Sequence, residues 1–194
     1  MIGAETATAA AEIERKFLVR DSGIVAGLAG TPLVQGYFSG LEGWTLRLRT
    51  AGDRAWLTLK SAQSGMTRQE IESPVPFELA SRLLASVPPD QLISKIRYRL
   101  PVPGTALAWE IDRFLERHHG LWLAEIELPR ADYVVDLPAW LGPEVTGDPR
   151  YHNAALAVSP GGAAPLPAPA ELLALARRLL EGAQSGRDLH AGAD

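Results

Sequence analysis

Charged residues in this chain fall on alternate positions, stretch after stretch, and the charges keep one parity within each stretch. Over 12–19, Glu12, Glu14 and Lys16 alternate with Ile13, Arg15 and Phe17. Successive side chains on a β-strand point to opposite faces. A strand there carries two carboxylates and an ammonium on one side. The same pattern recurs over 44–49 (Arg47, Arg49), 55–60 (Lys60), 68–75 (Arg68, Glu70, Glu72) and 94–100 (Lys95, Arg97, Arg99). It continues over 107–114 (Glu110, Asp112) and 121–128 (Glu125, Glu127), with large apolar residues such as Leu46, Leu59, Ile96, Trp109 and Ile126 on the opposite parity. One face therefore gathers eight acids and eight bases. This predicts a mainly β protein of short strands joined by hairpins, since the connections at 50–53, 101–104 and 117–120 are short and rich in turn residues.

A sheet with one wet and one buried face produces the same alternation. Two features go beyond that reading. Like charges cluster on single strands, as in Arg47/Arg49 and Glu125/Glu127, instead of interspersing as on a merely soluble surface. They also segregate along the chain, with bases on the middle strands and acids on the first and last two. Closing such a sheet into a barrel would bring Glu12, Glu14, Glu110, Asp112, Glu125 and Glu127 to one wall and leave the bases on the rest. Hard carboxylate oxygens suit Mg²⁺ or Mn²⁺. Arg and Lys suit phosphate oxygens. Together they describe a place for a metal-bound polyphosphate.

The remaining signals limit the alternatives. Length favours one domain, at 194 residues. A net charge of −4 gives no basic footprint for nucleic acid or an anionic membrane surface. Thiolate metal sites and thiol catalysis are excluded because the chain contains no cysteine. No apolar run reaches a membrane span. Residues 1–11 lack the pattern of a signal peptide and read as a disordered tail, so a cytoplasmic location is expected. Helices are expected over 77–87, which stops at Pro88-Pro89, and over 153–158. Residues 159–168 read as a Gly/Ala/Pro linker, 169–182 as a helix with Pro at its start and Gly182 at its end, and 183–194 as a disordered tail. His118-His119 point apart on a strand and lack a third ligand, so they read as a polar loop. Trp109 and Trp122 have core parity and are expected under helices, while Trp44 and Trp56 are ambiguous. There is no Walker A sequence.

At these residues the chain resembles the CYTH superfamily, the triphosphate tunnel metalloenzymes. Glu12-Ile13-Glu14-Arg15-Lys16 matches the ExExK signature. Gln35-Gly36-Tyr37, Arg47-Leu48-Arg49, Leu59-Lys60, Arg68-Gln69-Glu70 and Lys95-Ile96-Arg97-Tyr98 follow in the family's order. So do Trp109-Glu110-Ile111-Asp112, Leu123-Ala124-Glu125-Ile126-Glu127, and the closing Trp140–Thr146 and Arg150-Tyr151-His152-Asn153. The resemblance spans about residues 12–158. It implies an eight-stranded antiparallel β-barrel forming a charged tunnel, helices packed outside, with the C-terminal helix as an addition. It also implies metal-dependent hydrolysis of a triphosphate, with small bacterial inorganic tripolyphosphatases as the nearest group.

By that likeness Glu12, Glu14, Glu125 and Glu127 hold Mg²⁺ or Mn²⁺, and Glu110 and Asp112 stand behind them. Arg47, Arg49, Lys60, Arg68, Lys95 and Arg97 hold phosphates, and Glu70 and Glu72 brace the arginines. Lys16 and Tyr37 resemble a pair proposed to help activate water. Lys16 would serve as a base only if neighbouring cations depressed its pKa, which Glu12 and Glu14 oppose. Competing readings are a nucleoside or thiamine triphosphatase, an adenylate cyclase of the same superfamily, a non-catalytic polyphosphate or nucleotide binder, and a β-sandwich interaction protein. Adenylate cyclases of the superfamily typically carry a His-Phe pair ahead of the ExExK, absent here. The expected partner is a small-molecule triphosphate, with no nucleic acid and no membrane. The protein is expected to be a monomer or a homodimer, the C-terminal helix capping a tunnel mouth or making the dimer contact.

Overall fold

A computed structural model describes residues 13–61, 70–157 and 166–191, the last eight of these by backbone alone. Glu12 and Arg68, and most of the expected linker, lie outside the described residues. Its elements are, in order, β1 (Ile13–Val19), β2 (Thr31–Leu41), β3 (Trp44–Ala51), β4 (Arg54–Ser61), β5 (Glu70–Val75) and α1 (Phe77–Ala85). They continue with β6 (Leu92–Pro101), β7 (Ala108–Phe114), β8 (Trp122–Leu128), β9 (Leu141–Glu144), α2 (Asn153–Leu156), β10 (Leu166–Pro167) and α3 (Ala170–Ala191). The protein is thus mainly antiparallel β with a few helices. These residues fall into two compact units, one of residues 35–92 and 166–191, the other of residues 13–34 and 93–157.

In the first unit the strand order is β5-β4-β3-β2, and β10 runs parallel to β2. β3 and β4 form a hairpin closed at Ala51↔Arg54. Gly52 takes φ 60° at the first loop position, a conformation that primed turns require and glycine accepts without steric cost. Leu46, Leu48, Leu57 and Leu59 are wholly buried on the apolar parity. Burying each such side chain is worth about 1.5–3 kcal/mol. α1 covers β3 and β4, and α3 lies against β5. The α1 stripe that buries is Ala80, Leu83 and Leu84. Gly36 lies close under this layer, where a Cβ would come within 3.1 Å of the Leu84 side chain. Arg82 on α1 pairs with Glu171 on α3 at 2.8 Å. The α3 helix runs past Gly182, where the sequence suggested its end.

In the second unit the order is β6-β7-β8-β1-β9. Phe17, Trp109, Ile111, Ala124, Ile126 and Leu128 make its core with Val135 and Leu141. Trp109 meets Phe17 and Trp140 edge-on, with ring centroids 5.7 and 5.4 Å apart. Trp109 is buried as its parity predicted. Trp140, from an irregular stretch, packs on it, and Ile24, Val25 and Tyr133 pack on the same core. Trp122 is half-buried and stacks on Tyr98. β9 lacks any period-2 signal because Gly142 and Pro143 occupy it. Gly142 is needed there, since a Cβ would stand 3.1 Å from the Leu18 carbonyl oxygen. His118 sits in the β7–β8 loop with Nε2 2.8 Å from the Leu156 carbonyl, and Arg117 donates to the same oxygen. That pair ties the end of α2 to the loop. Among the described residues no helix is long and apolar enough to cross a membrane.

Candidate functional site

Antiparallel pairing sets residues opposite one another with side chains on the same face. In the second unit β6, β7, β8 and β1 are locked in register by Arg97↔Asp112, Arg99↔Glu110, Glu110↔Glu125, Lys16↔Glu125 and Glu14↔Glu127. All the acids and bases predicted for these strands therefore share one face, Glu12 excepted because it is not described. Two of the pairs, Glu110↔Glu125 and Glu14↔Glu127, set carboxylate against carboxylate. Such pairs are destabilising unless cations intervene.

Cations reach both pairs, the Glu110–Glu125 pair more closely. Lys16 Nζ lies 2.9 Å from Glu125 and 3.7 Å from Glu14. Arg97 reaches Asp112 through Nε at 2.7 Å and Nη2 at 2.6 Å, touches Glu125 at 3.3 Å, and also pairs with Glu110. Asp112 is in turn 2.6 Å from Lys95 Nζ, and both of these side chains are 1% exposed. The Lys95 ammonium is thus engaged by Asp112 beneath the face, and is not presented on it. Burial pulls the Lys95 pKa below its ordinary value despite Asp112. Burial opposes ionisation of Asp112 too, yet Lys95 and Arg97 outweigh it and hold the carboxyl down at about 2. For Lys16, burial lowers the pKa while Glu125, Glu14 and Asp112 more than offset it, so the net displacement is upward. These carboxylates favour the ammonium form of Lys16.

In the other opposed pair only Glu14 is met by a cation, Lys16 at 3.7 Å. Glu127 is exposed and has no ion-pair partner among the described residues. Glu14, Glu110, Glu125 and Glu127 line one cavity of about 110 Å³, with Arg99 at its edge. Arg99 is exposed, as expected of a rim residue. This donor set, all carboxylate oxygen and net negative, fits a hard divalent cation. Among the described residues no three carboxylate or histidine side chains are gathered closely enough to grip an ion. Glu14 and Glu127 are exposed enough to change rotamer toward one.

The first unit has its own charged face. β3, β4 and β5 pair as Arg49↔Trp56, Arg47↔Thr58↔Glu72 and Lys60↔Glu70. Arg47 lies 3.1 Å from Glu72 and 3.6 Å from Glu70, Arg49 lies 3.4 Å from Glu72, and Lys60 lies 2.6 Å from Glu70. The two glutamates brace the three cations from the neighbouring edge. Thr58, wholly buried, accepts from Arg47 at 3.0 Å and donates to Glu72 at 2.7 Å. Charge-based reading passed over Thr58 because it is neutral, although its parity between Trp56 and Lys60 placed it on this face. Trp56 also belongs to the charged face, with the Arg49 and Arg54 guanidinium groups each 5.2 Å from its ring. Tyr37, on β2 in this unit, accepts a hydrogen bond from buried Gln35 at 3.1 Å.

A model of the CYTH domain matches residues 10–151. The chain belongs to the CYTH family. Two relatives called inorganic triphosphatase are similar to this CYTH protein. The one from Acetivibrio thermocellus is 38% identical over 77% of this chain and 94% of its own length. The one from Nitrosomonas europaea is 37% identical over 76% and 97%. A crystal structure of an inorganic triphosphatase superposes with a TM-score of 0.57 at 34% identity, covering 78% of this chain and 97% of the other. Within the CYTH match lie Glu14, Lys16, the three cations of β3 and β4, and the acids of β7 and β8, so the charged faces belong to the part the relatives share.

Proposed function

We propose that this CYTH protein hydrolyses a triphosphate, inorganic tripolyphosphate first, to diphosphate and phosphate with a divalent metal ion. The observation that carries the reading is the carboxylate-lined cavity where Glu14 faces Glu127 and Glu110 faces Glu125. Arg97 and Lys16 offset part of this charge, Glu127 adds an exposed carboxylate without an ion-pair partner among the described residues, and a divalent cation would make the set favourable. The names of the relatives support the substrate. Glu14, Glu125 and Glu127 would hold Mg²⁺ or Mn²⁺, which supplies charge neutralisation and polarisation of phosphate oxygens. Glu12, by its place in the ExExK sequence, is proposed to join them.

Phosphoryl transfer asks the protein mainly for positioning and charge stabilisation. Water adds at one phosphorus as the bridging P–O bond breaks, and the leaving diphosphate departs with the bridging oxygen. By the resemblance, Arg47, Arg49, Lys60, Arg68 and Arg97 are each assigned to phosphate oxygens. Lys95 acts through Asp112, which orients Arg97. Lys16, held protonated, is assigned to a phosphate oxygen or to the oriented water, where an ammonium offsets developing negative charge. Tyr37 is proposed to act near the water. A second reading, an organic triphosphate, rests on Trp56, whose indole on the cationic face offers a stacking surface.

Phosphate release from tripolyphosphate, ATP and thiamine triphosphate, with Mg²⁺, with Mn²⁺ and with a chelator, tests all of this. Turnover is expected fastest on tripolyphosphate, lost with chelator, and lost in Lys16→Ala and Glu125→Gln. Tight polyphosphate binding without turnover in any condition refutes the enzymatic reading. Preference for ATP or thiamine triphosphate selects the second one.

A further inference from the structure

Lys16 is held along its whole length by one short segment, and the grip is chemically unusual. β1 pairs with β8 on one side in continuous register from Ile13↔Leu128 to Leu18↔Leu123. On its other side β9 makes only Phe17↔Glu144 and Val19↔Leu141, with a register shift between them. Beyond Glu144 the ladder stops, yet contact with Lys16 does not. The Val145 amide donates to the Lys16 carbonyl at 2.8 Å. The Lys16 amide, which a continuing strand would satisfy with a backbone carbonyl, donates instead to the Thr146 hydroxyl at 2.9 Å.

A hydroxyl has one proton to give and lone pairs to receive. Thr146 receives from the Lys16 amide and gives to Glu144 Oε1 at 2.7 Å, a shorter contact than its 3.4 Å approach to the Lys16 carbonyl. Glu144 is itself fixed by Arg15, whose Nε and Nη2 lie 2.9 and 2.6 Å from its two carboxylate oxygens. The chain of bonds runs from Arg15 through Glu144 and Thr146 to the Lys16 backbone. At the far end the Lys16 ammonium reaches the Tyr151 carbonyl at 3.5 Å, from the same segment. Arg15 thereby has a use of its own, although it stands on the parity opposite the charged face.

We propose that Thr146 is a positioning residue for Lys16: with Glu144 and Arg15 it fixes the backbone from which the Lys16 ammonium is aimed between Glu14 and Glu125. This rests on the reading of Lys16 as a residue of the triphosphatase site. Misplacing a reacting group by about 1 Å can cost on the order of 100-fold in rate. Loss of the hydroxyl is therefore expected to lower kcat roughly 10- to 100-fold with little change in KM.

The experiment compares Thr146→Val, which keeps the shape and removes the hydroxyl, with Thr146→Ser, which keeps the hydroxyl, and with Glu144→Gln. The chain contains three lysines, Lys16, Lys60 and Lys95, so labelling lysine with ¹³C and ¹⁵N lets NMR read the Lys16 side chain without any substrate. Thr146→Val should shift or broaden the Lys16 signals and lower kcat with KM within about twofold, and Thr146→Ser should restore both. An unmoved Lys16 signal in Thr146→Val overturns the proposal, whether or not the wild type turns over triphosphate. Unchanged kcat in Thr146→Val, beside an active wild type and an inactive Lys16→Ala, also overturns it. A wild type without turnover refutes the functional reading alone. Should Thr146→Val fail to fold, Glu144→Gln carries the test, with a moved Lys16 signal expected and an unmoved one fatal.

Discussion

Replacing Asp112 by asparagine probes the densest charge arrangement in the second unit. Its Oδ2 accepts from Lys95 at 2.6 Å and from Arg97 at 2.6 Å, while Oδ1 accepts from Arg97 Nε at 2.7 Å. Asparagine keeps the shape but supplies one acceptor where two are used. Its amide NH₂ must then face a donor. Lys95, 1% exposed, loses the carboxylate that neutralises it at bonding distance, its one ion pair among the described residues. Breaking a buried ion pair by removing one partner costs about 3–5 kcal/mol. With a urea slope of about 2 kcal/mol per molar, the unfolding midpoint of Asp112→Asn should fall by roughly 1.5–2.5 M at pH 7.

Two further arms separate this reasoning from a general packing defect. Adding Lys95→Met to Asp112→Asn removes the orphaned charge and should recover part of the loss, because an apolar replacement of a buried pair is often neutral. The second arm is pH. The Asp112 carboxyl is held at about 2 against an ordinary 3.8, a difference on the order of 2 kcal/mol. A depressed carboxylate stabilises above its unfolded pKa, and that stability drains as pH falls through the folded value. Wild type should therefore lose this amount between about pH 4 and pH 2, and Asp112→Asn should lack that part of the acid limb. A single variant within about 1 kcal/mol of wild type, or a double variant less stable than Asp112→Asn, would refute the account.

The bridging hydroxyl of the first unit gives another expectation. Thr58→Val leaves Arg47 and Glu72 without their shared buried partner, so stability should fall by about 1–2 kcal/mol, and KM for tripolyphosphate should rise several-fold as Arg47 loosens. Denaturation midpoints and initial rates on the same preparation check both. Arg82→Ala should be silent, within about 0.5 kcal/mol of wild type, because the Arg82 and Glu171 side chains are 62% and 53% exposed. A larger loss of thermal stability there would mean that this pair, and not apolar packing, fastens α3.

Charge parity made most of the candidate site legible. Alternation over Lys16, Glu110, Asp112, Glu125 and Glu127 needed only the two-residue period of a strand, and antiparallel registers then set the same residues side by side. Which cation each acid would hold was not legible, because that depends on which strands are neighbours and on how deep each residue lies. Lys95 and Arg97 share a parity and a strand, yet one is sealed under Asp112 and the other spans three carboxylates. Their burial decides this, and no alternation encodes it. β9 was illegible for a different reason. It spans only four residues, and Gly142, which lies close against Leu18, and Pro143 stand where an apolar period would show.

The sign of the Lys16 charge follows from the same neighbours and bears on the chemistry. Isolated beside arginines it would lose its proton readily. Set opposite Glu125 in the β1–β8 register, with Glu14 two residues back, it is held above its ordinary pKa in spite of burial. So placed, the ammonium form is favoured while Glu125 stays ionised beside it, which works against a role as base. It can neutralise charge on a phosphate oxygen without any proton moving. On the proposed reading the ExExK strand would serve both ions: Glu14 would offer oxygen to a cation, while the Lys16 ammonium, held charged mainly by Glu125 across the register and less by Glu14, would meet the anion.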